Sequence, residues 1–392
     1  MSKRPQLTDD IETWNTEDAA DLDSGNAESI AILVSSRDWT VETMVDQIRN
    51  GNIDLDPAFQ RRNAWRDNRR SRLIESLILN FPVPQIVLAE HPKKKKSFIV
   101  IDGKQRLLTI ASFYDKDYRD YWNQPKLTGL RLLKPLNKVS IDTFLESTDY
   151  ADERRQLGNA DIRTTIISGF QNESILYDIF YRINTGSVPL SSQELRQVLN
   201  RGDFAQYLMT LTSEENPLWE LLGIDSPDPR LRDVELLLRL VAWRLFSKSY
   251  KGNMKPFLDG VMDVLNKEWG QKRPAVEKLS TDLLAGVKTV TDVYGDNAGR
   301  KYKNGRFEYS LNRVVFEVQA HFFAFPAIRT EAKKKKKAIV DGFKKLSADT
   351  DFVTTLEATT KSIENYKVRF TKYRSMLASV LNADIPTLAL GK

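Results

Sequence analysis

Apolar residues along the first part of the chain fall into two spacings. Ser29–Val34, Pro84–Ala89, Phe98–Ile101 and Ile162–Ile167 are short runs of strand length. Apolar positions three and four apart predict helices over Val41–Asn50, Asp67–Asn80 and Lys104–Tyr114. The second helix is the plainest, since Leu73, Ile74, Leu77 and Ile78 share one face and Phe81-Pro82 stops it. From about residue 173 the spacing is almost wholly helical, over Glu173–Arg182, Ser192–Leu199, Leu231–Lys248, Phe257–Trp269, Val276–Tyr294, Leu311–Phe323 and Ser362–Val380. The pattern predicts an α+β domain over residues 29–170 followed by an all-helical domain over 171–392.

Pro84–Ala89 and Phe98–Ile101 flank the polar turn Lys93–Lys96 and predict a hairpin. The second strand runs into Asp102-Gly103 and then into helical spacing from Lys104, giving strand, sharp turn, helix. A helix N-terminus offers unpaired N–H groups and the positive end of the macrodipole, so a phosphate fits there, with Lys104 and Arg106 adding charge. The same residues admit a ligand-free reading: Asp102 as N-cap and Gln105 closing a capping box. That reading leaves Arg106, flanked by apolar residues, without a role.

Polar groups also crowd against apolar ones in Phe59-Gln60-Arg61-Arg62-Asn63-Ala64-Trp65, the connection into the Asp67 helix. Trp65 suits a core anchor, and Arg61 and Arg62 suit either a site or a solvated surface. Further on, Ser191-Ser192-Gln193-Glu194 is a capping-box pattern, so Glu194 serves either helix or site, while Arg182 and Asn184 are surplus to folding needs.

Composition narrows the class. The 392 residues are 41% hydrophobic and contain no cysteine, no secretory leader and no apolar run long enough to span a bilayer, so a cytoplasmic protein that does not enter membranes is expected. Residues 1–28 carry eight acidic side chains against Lys3 and Arg4, a net −6, so with the whole chain at +6 the remainder carries +12. The arm lacks periodic apolar residues and is expected to be disordered, either as a solubilising tail or as a cover over a basic site. The basic remainder, with the runs Lys93–Lys96 and Lys333–Lys337, is compatible with DNA binding, although lysine runs also serve as solvated turns and helix faces.

Several blocks in order carry a resemblance. Gln60-Arg61 with Trp65, the strand beginning Pro82-Val83-Pro84-Gln85-Ile86, and Ile101-Asp102-Gly103-Lys104-Gln105-Arg106-Leu107-Leu108-Thr109 resemble the N-terminal domain of GmrSD-type modification-dependent restriction systems, whose core is ParB/sulfiredoxin-like. Phe180-Tyr181-Arg182-Ile183-Asn184-Thr185-Gly186 with Glu194-Leu195-Arg196 is similar to a later block of that family, and Asp233–Leu240 and Lys255–Asp259 resemble its helical part. The likeness spans roughly residues 30–270.

The resemblance implies binding, and in some relatives hydrolysis, of a nucleoside triphosphate (GTP, ATP or CTP) through the D-G-Q-Q-R motif, coupled to restriction of modified phage DNA. Carried over by position, Asp102, Gln105 and Arg106 are the expected catalytic residues. Gln60, Arg61, Gly103, Lys104, Arg182, Asn184, Glu194 and Arg196 are the expected nucleotide-binding ones. Guanidinium forks suit phosphate, Asp102 suits one ligand position on Mg2+, and Gln105 suits a water-orienting role. Lys104 departs from the family's glutamine, which bears on hydrolysis and leaves a non-enzymatic nucleotide or DNA switch as the alternative.

There is no G-x-x-x-x-G-K-S/T loop, and the two histidines, His91 and His321, are too few for an H-N-H nuclease centre. DNA cleavage is therefore expected either from a separate H-N-H nuclease subunit or from an activity of this chain that its motifs do not reveal, with DNA as a further partner and a homo-oligomer left open. His321 and the Ala320–Phe325 segment are expected in a helix core.

Overall fold

Thr40 ends a strand and starts a helix. Its side chain accepts from the Thr43 N–H at 3.2 Å and caps α1 (Val41–Arg49), which buries Val41, Met44, Val45 and Ile48 on one face. The preceding strand is β1 (Leu33–Thr40). These positions come from a computed structural model that describes residues 32–53, 55, 65–91, 94–170, 175, 176, 179, 183, 191–357 and 362–389. The expected acidic arm, the Glu173–Arg182 helix apart from isolated positions, and Gln60, Arg61, Arg182 and Asn184 lie outside the described residues.

Two compact units are resolved, one within Asn26–Leu190 and one from Ser191 onward. The first continues through α2 (Asp67–Ile78), β2 (Ile86–Glu90), β3 (Phe98–Asp102), α3 (Lys104–Tyr114), α4 (Ile141–Glu146), α5 (Ala151–Asn159) and β4 (Asp161–Ser168). Its four strands lie in the order β1-β4-β2-β3, with β2 parallel to β4 and the other pairs antiparallel. The expected β2–β3 hairpin is present. Ile86, Leu88, Val100, Ile162 and Ile166 join residues of α1, α2 and α3 in one core, and each such side chain contributes about 1.5–3 kcal/mol by leaving water. Val87, Ala89, Ile99, Ile101 and Ile167 are buried too, so β2 and β3 are apolar on both faces.

The first strand corrects the sequence reading, which placed it at Ser29–Val34. Pairing runs from Leu33 opposite Ser168 to Thr40 opposite Asp161. Leu33 and Val34 are 68% and 66% exposed, and Ser35-Ser36-Arg37-Asp38 offers no apolar alternation. Backbone pairing along β4, invisible to local periodicity, fixes this edge strand.

The second unit begins with α6 (Ser192–Leu199), α7 (Asp203–Ser213), α8 (Pro217–Leu222), α9 (Arg232–Phe246), α10 (Met254–Lys267) and α11 (Trp269–Tyr294). A small hairpin follows, β5 (Tyr302–Lys303) and β6 (Arg306–Phe307). Then come α12 (Arg313–Phe323), α13 (Pro326–Lys334), α14 (Lys336–Leu346), α15 (Thr350–Glu357) and α16 (Ile363–Leu381). The architecture is α+β followed by helices, as the pattern predicted, with this one hairpin added among the described residues. All of α12 is buried, including His321 as expected. Gly286 in α11 allows it to approach closely, since a Cβ there would meet the Ala324 nitrogen at 2.7 Å and the Ala320 oxygen at 2.9 Å. Charges are also buried in this core: Arg239 bonds Glu317 and, at 3.1 Å, Glu235, which also receives Arg313 at 2.8 Å.

Candidate functional site

β3 ends in an irregularity. Val87 pairs with Asp102 and Leu88 with Val100, which leaves Ile101 as an extra residue and re-aims the strand end just before the helix, a device found beside functional sites. Gly103 then takes φ +96°, the left-handed region, and a Cβ there would lie 2.3 Å from Ile86 Cδ1. Only glycine makes this turn without displacement.

Gly103 is therefore the N-cap of α3, and among the described residues no side chain caps the helix. This corrects the capping-box alternative. Asp102 instead accepts from Arg106 Nη2 at 2.9 Å, and the same nitrogen donates to the Gln85 carbonyl at 3.0 Å. The ion pair ties the end of β3 and the approach to β2 to the first turn of α3, and it gives Arg106 part of the role that the sequence reading lacked. Arg106 Nε is buried and has no hydrogen-bond acceptor among the described residues. The first-turn N–H groups of α3 have no intrahelical partners, so the helix start presents donors.

Gln105 points elsewhere than a capping box requires. Its side-chain oxygen accepts from the Tyr121 hydroxyl, and its carbonyl accepts from Thr109 Oγ1 at 2.7 Å. Burial pushes the Tyr121 phenol well above its ordinary value, opposed in part by the Arg70 charge, so the hydroxyl keeps its proton and remains a donor. Arg70 is fully buried, with its guanidinium 4.1 Å from the Tyr121 ring centroid. It bonds Asp67 at 2.5 Å and the Trp65 carbonyl. A continuous set of contacts thus runs from Trp65 through Arg70 and Tyr121 to Gln105. Trp65 packs partly buried against the core, as an anchor would.

Arg70 and Tyr121 were missed in the sequence. Arg70 had a legible signal: it falls three, four and seven residues before Leu73, Ile74 and Leu77, on the face that α2 buries. Tyr121 had none, because its link to Gln105 spans sixteen residues through a short 3-10 turn, Lys116–Tyr121.

Glu194 and Arg196 lie on α6, in the second unit. The expected capping box forms there: Ser191 Oγ accepts from the Glu194 N–H at 3.1 Å, and Glu194 Oε2 accepts from the Ser191 N–H at 2.5 Å. Buried Arg196 pairs with Asp259 at 2.7 Å and with Gln193 at 2.7 Å. Both side chains are thus built into the packing of α6. Lys104 is the first residue of α3 and is half-buried. Among the described residues no group of three or more histidine, cysteine, aspartate and glutamate side chains is placed to hold a metal ion, and no helix is long and apolar enough to cross a membrane.

A sheet-to-helix turn on glycine, with arginine and aspartate locked across it, defines an α+β domain whose motif presents donors at a helix start. Residues 41–199 match the family described as GmrSD restriction endonuclease, N-terminal domain, and this part of the chain is a domain of that family, which ties the chain to restriction systems. No curated protein matches the chain.

Proposed function

We propose that this chain is the nucleotide-dependent sensing subunit of a DNA restriction system. In this reading its α+β domain, ParB-like in kind, binds and hydrolyses a nucleoside triphosphate at Gly103–Arg106 and responds to modified or foreign DNA in the cytoplasm. The observation that carries the reading is Arg106 Nε, a buried donor without an acceptor among the described residues, beside a helix that starts on glycine. A phosphate oxygen supplies the acceptor that Nε lacks and suits the positive end of the helix.

The residues fit such a ligand. The first-turn N–H groups and Arg106 receive phosphate oxygens, Lys104 adds charge, and Asp102 keeps Arg106 in place. Gln60 and Arg61, which precede α2, and Arg182 and Asn184 are carried into the site by position in the family motif. Magnesium, where present, neutralises phosphate charge. Asp102 is the motif's one carboxylate, so the ion would take one protein ligand there and keep water and phosphate oxygens elsewhere. Gln105, held by Tyr121, orients the attacking water. DNA is cut by a separate H-N-H nuclease chain.

A second reading is favoured by two observations together: Lys104 stands where the family pattern has glutamine, and the Gln105 oxygen is already engaged by Tyr121. In that reading the domain binds nucleotide and switches without turnover. Phosphate release with magnesium and GTP, ATP or CTP, with and without DNA, separates the two. Turnover by the wild type that Arg106→Ala abolishes supports hydrolysis at this site. Binding without turnover supports the switch, and gain of turnover in Lys104→Gln would then locate the cause. A folded wild type that binds no nucleotide overturns both.

A further inference from the structure

The hairpin in the second unit sets cations across its own ladder. Asn304 and Gly305 have φ +53° and +78°, the paired left-handed residues of a tight two-residue turn. Register places Tyr302 opposite Phe307 and Lys303 opposite Arg306. Two like charges directly across a ladder oppose its formation, and a two-stranded hairpin is marginal to begin with. Arg300 and Lys301 precede the strand, so the segment from Arg300 to Glu308 holds four cations and one carboxylate.

The root of this hairpin is fixed and its tip is exposed. Phe307 stacks on Phe343 of α14 at 6.4 Å, the Tyr302 and Phe307 rings are 5.0 Å apart, and Lys344 Nζ lies 5.9 Å from the Tyr302 ring. Lys303, Asn304, Gly305 and Arg306 are all exposed, as is Tyr309 at 68%. On α14, Lys337 is two turns before Lys344 on the same face, where Asp341 lies 3.8 Å from Lys344. Arg300, Lys301, Arg306, Lys336, Lys337 and Lys345 form no ion pair among the described residues. By contrast, Lys335 donates to the Val380 and Leu381 carbonyls at 3.1 Å and is structural. Guarding a strand edge against aggregation takes a single lysine; it does not call for cations on both strands and on the helix beneath.

We propose that this basic hairpin, with the lysine face of α14, is the surface on which the chain takes duplex DNA. The proposal deepens the DNA part of the function above and rests on that reading. A two-stranded ribbon fits the major groove of B-form DNA, about 12 Å wide, whereas the major groove of A-form RNA is too narrow to admit it. Flanking cations then meet the phosphates on either side.

The test is fluorescence anisotropy of a short labelled duplex with the full chain across a salt series. Lys303→Ala with Arg306→Ala should weaken binding at least about ten-fold and lower the slope of log affinity against log salt by about 2. Arg306→Glu serves as the folding control, because it sets opposite charges across the ladder: its thermal midpoint should hold or rise while DNA affinity falls. If the wild type binds duplex DNA and the double variant binds equally with the same slope, the hairpin is not the surface. If the wild type binds no DNA, the DNA reading itself fails. Tighter binding of duplex RNA of the same sequence also overturns the proposal.

Discussion

The Tyr121 hydroxyl donates to the Gln105 side-chain oxygen, while the Arg70 guanidinium covers the Tyr121 ring at 4.1 Å. The glutamine of the motif is thereby oriented by a buried residue outside it. Tyr121→Phe keeps the ring and removes the donor, so urea unfolding should show a loss of about 1 kcal/mol. If Gln105 orients water, phosphate release should fall while nucleotide affinity holds. Unchanged turnover in a folded variant would mean that this orientation is not used.

Gly103→Ala should destabilise the first unit by about 1–3 kcal/mol, from the left-handed backbone and from the clash with Ile86 Cδ1. Ile86→Val removes that methyl group. The double variant should recover the steric part of the loss and retain the backbone part, which a thermal or urea double-mutant cycle resolves. Complete recovery would show that the φ +96° conformation costs nothing there.

Burial, helped by the Arg244 charge, lowers the His321 pKa from its ordinary 6.5 to about 3. The folded state therefore keeps the imidazole neutral at pH values where the unfolded chain protonates it. Its contribution is fully present above pH 6.5 and is lost progressively as pH falls toward 3. Between pH 6.5 and 5 the wild type should lose about 2 kcal/mol that His321→Gln does not, by urea unfolding at each pH. Parallel stability curves for the two proteins would rule this out.

Arg239 is buried and bonded to both Glu317 and Glu235. Arg239→Ala leaves Glu317 charged and buried without its partner and should cost about 3–5 kcal/mol. Glu235 is less affected, because Arg313 remains 2.8 Å away. Replacing Arg239 and Glu317 together by methionine should be milder than Arg239→Ala, as denaturant midpoints will show; a larger loss would mean that the pair contributes more than it costs to desolvate.

Much of this protein was legible in short stretches of sequence. The apolar face of α2, the helix starting at Lys104, the Ser191–Glu194 capping box and the core position of His321 all follow from contacts closed within one or two helical turns. The glycine turn at Asp102-Gly103 was legible for the same reason. The tertiary structure decided the rest. It placed β1 at Leu33–Thr40, where only pairing with β4 defines the strand, and it gave Asp102 to Arg106 instead of to a helix cap. It also brought Trp65, Arg70 and Tyr121 to Gln105 and set Lys303 against Arg306. Local periodicity records which face of an element is apolar. Which polar group meets which depends on the surfaces that packing brings together, and that is settled only when the whole chain folds.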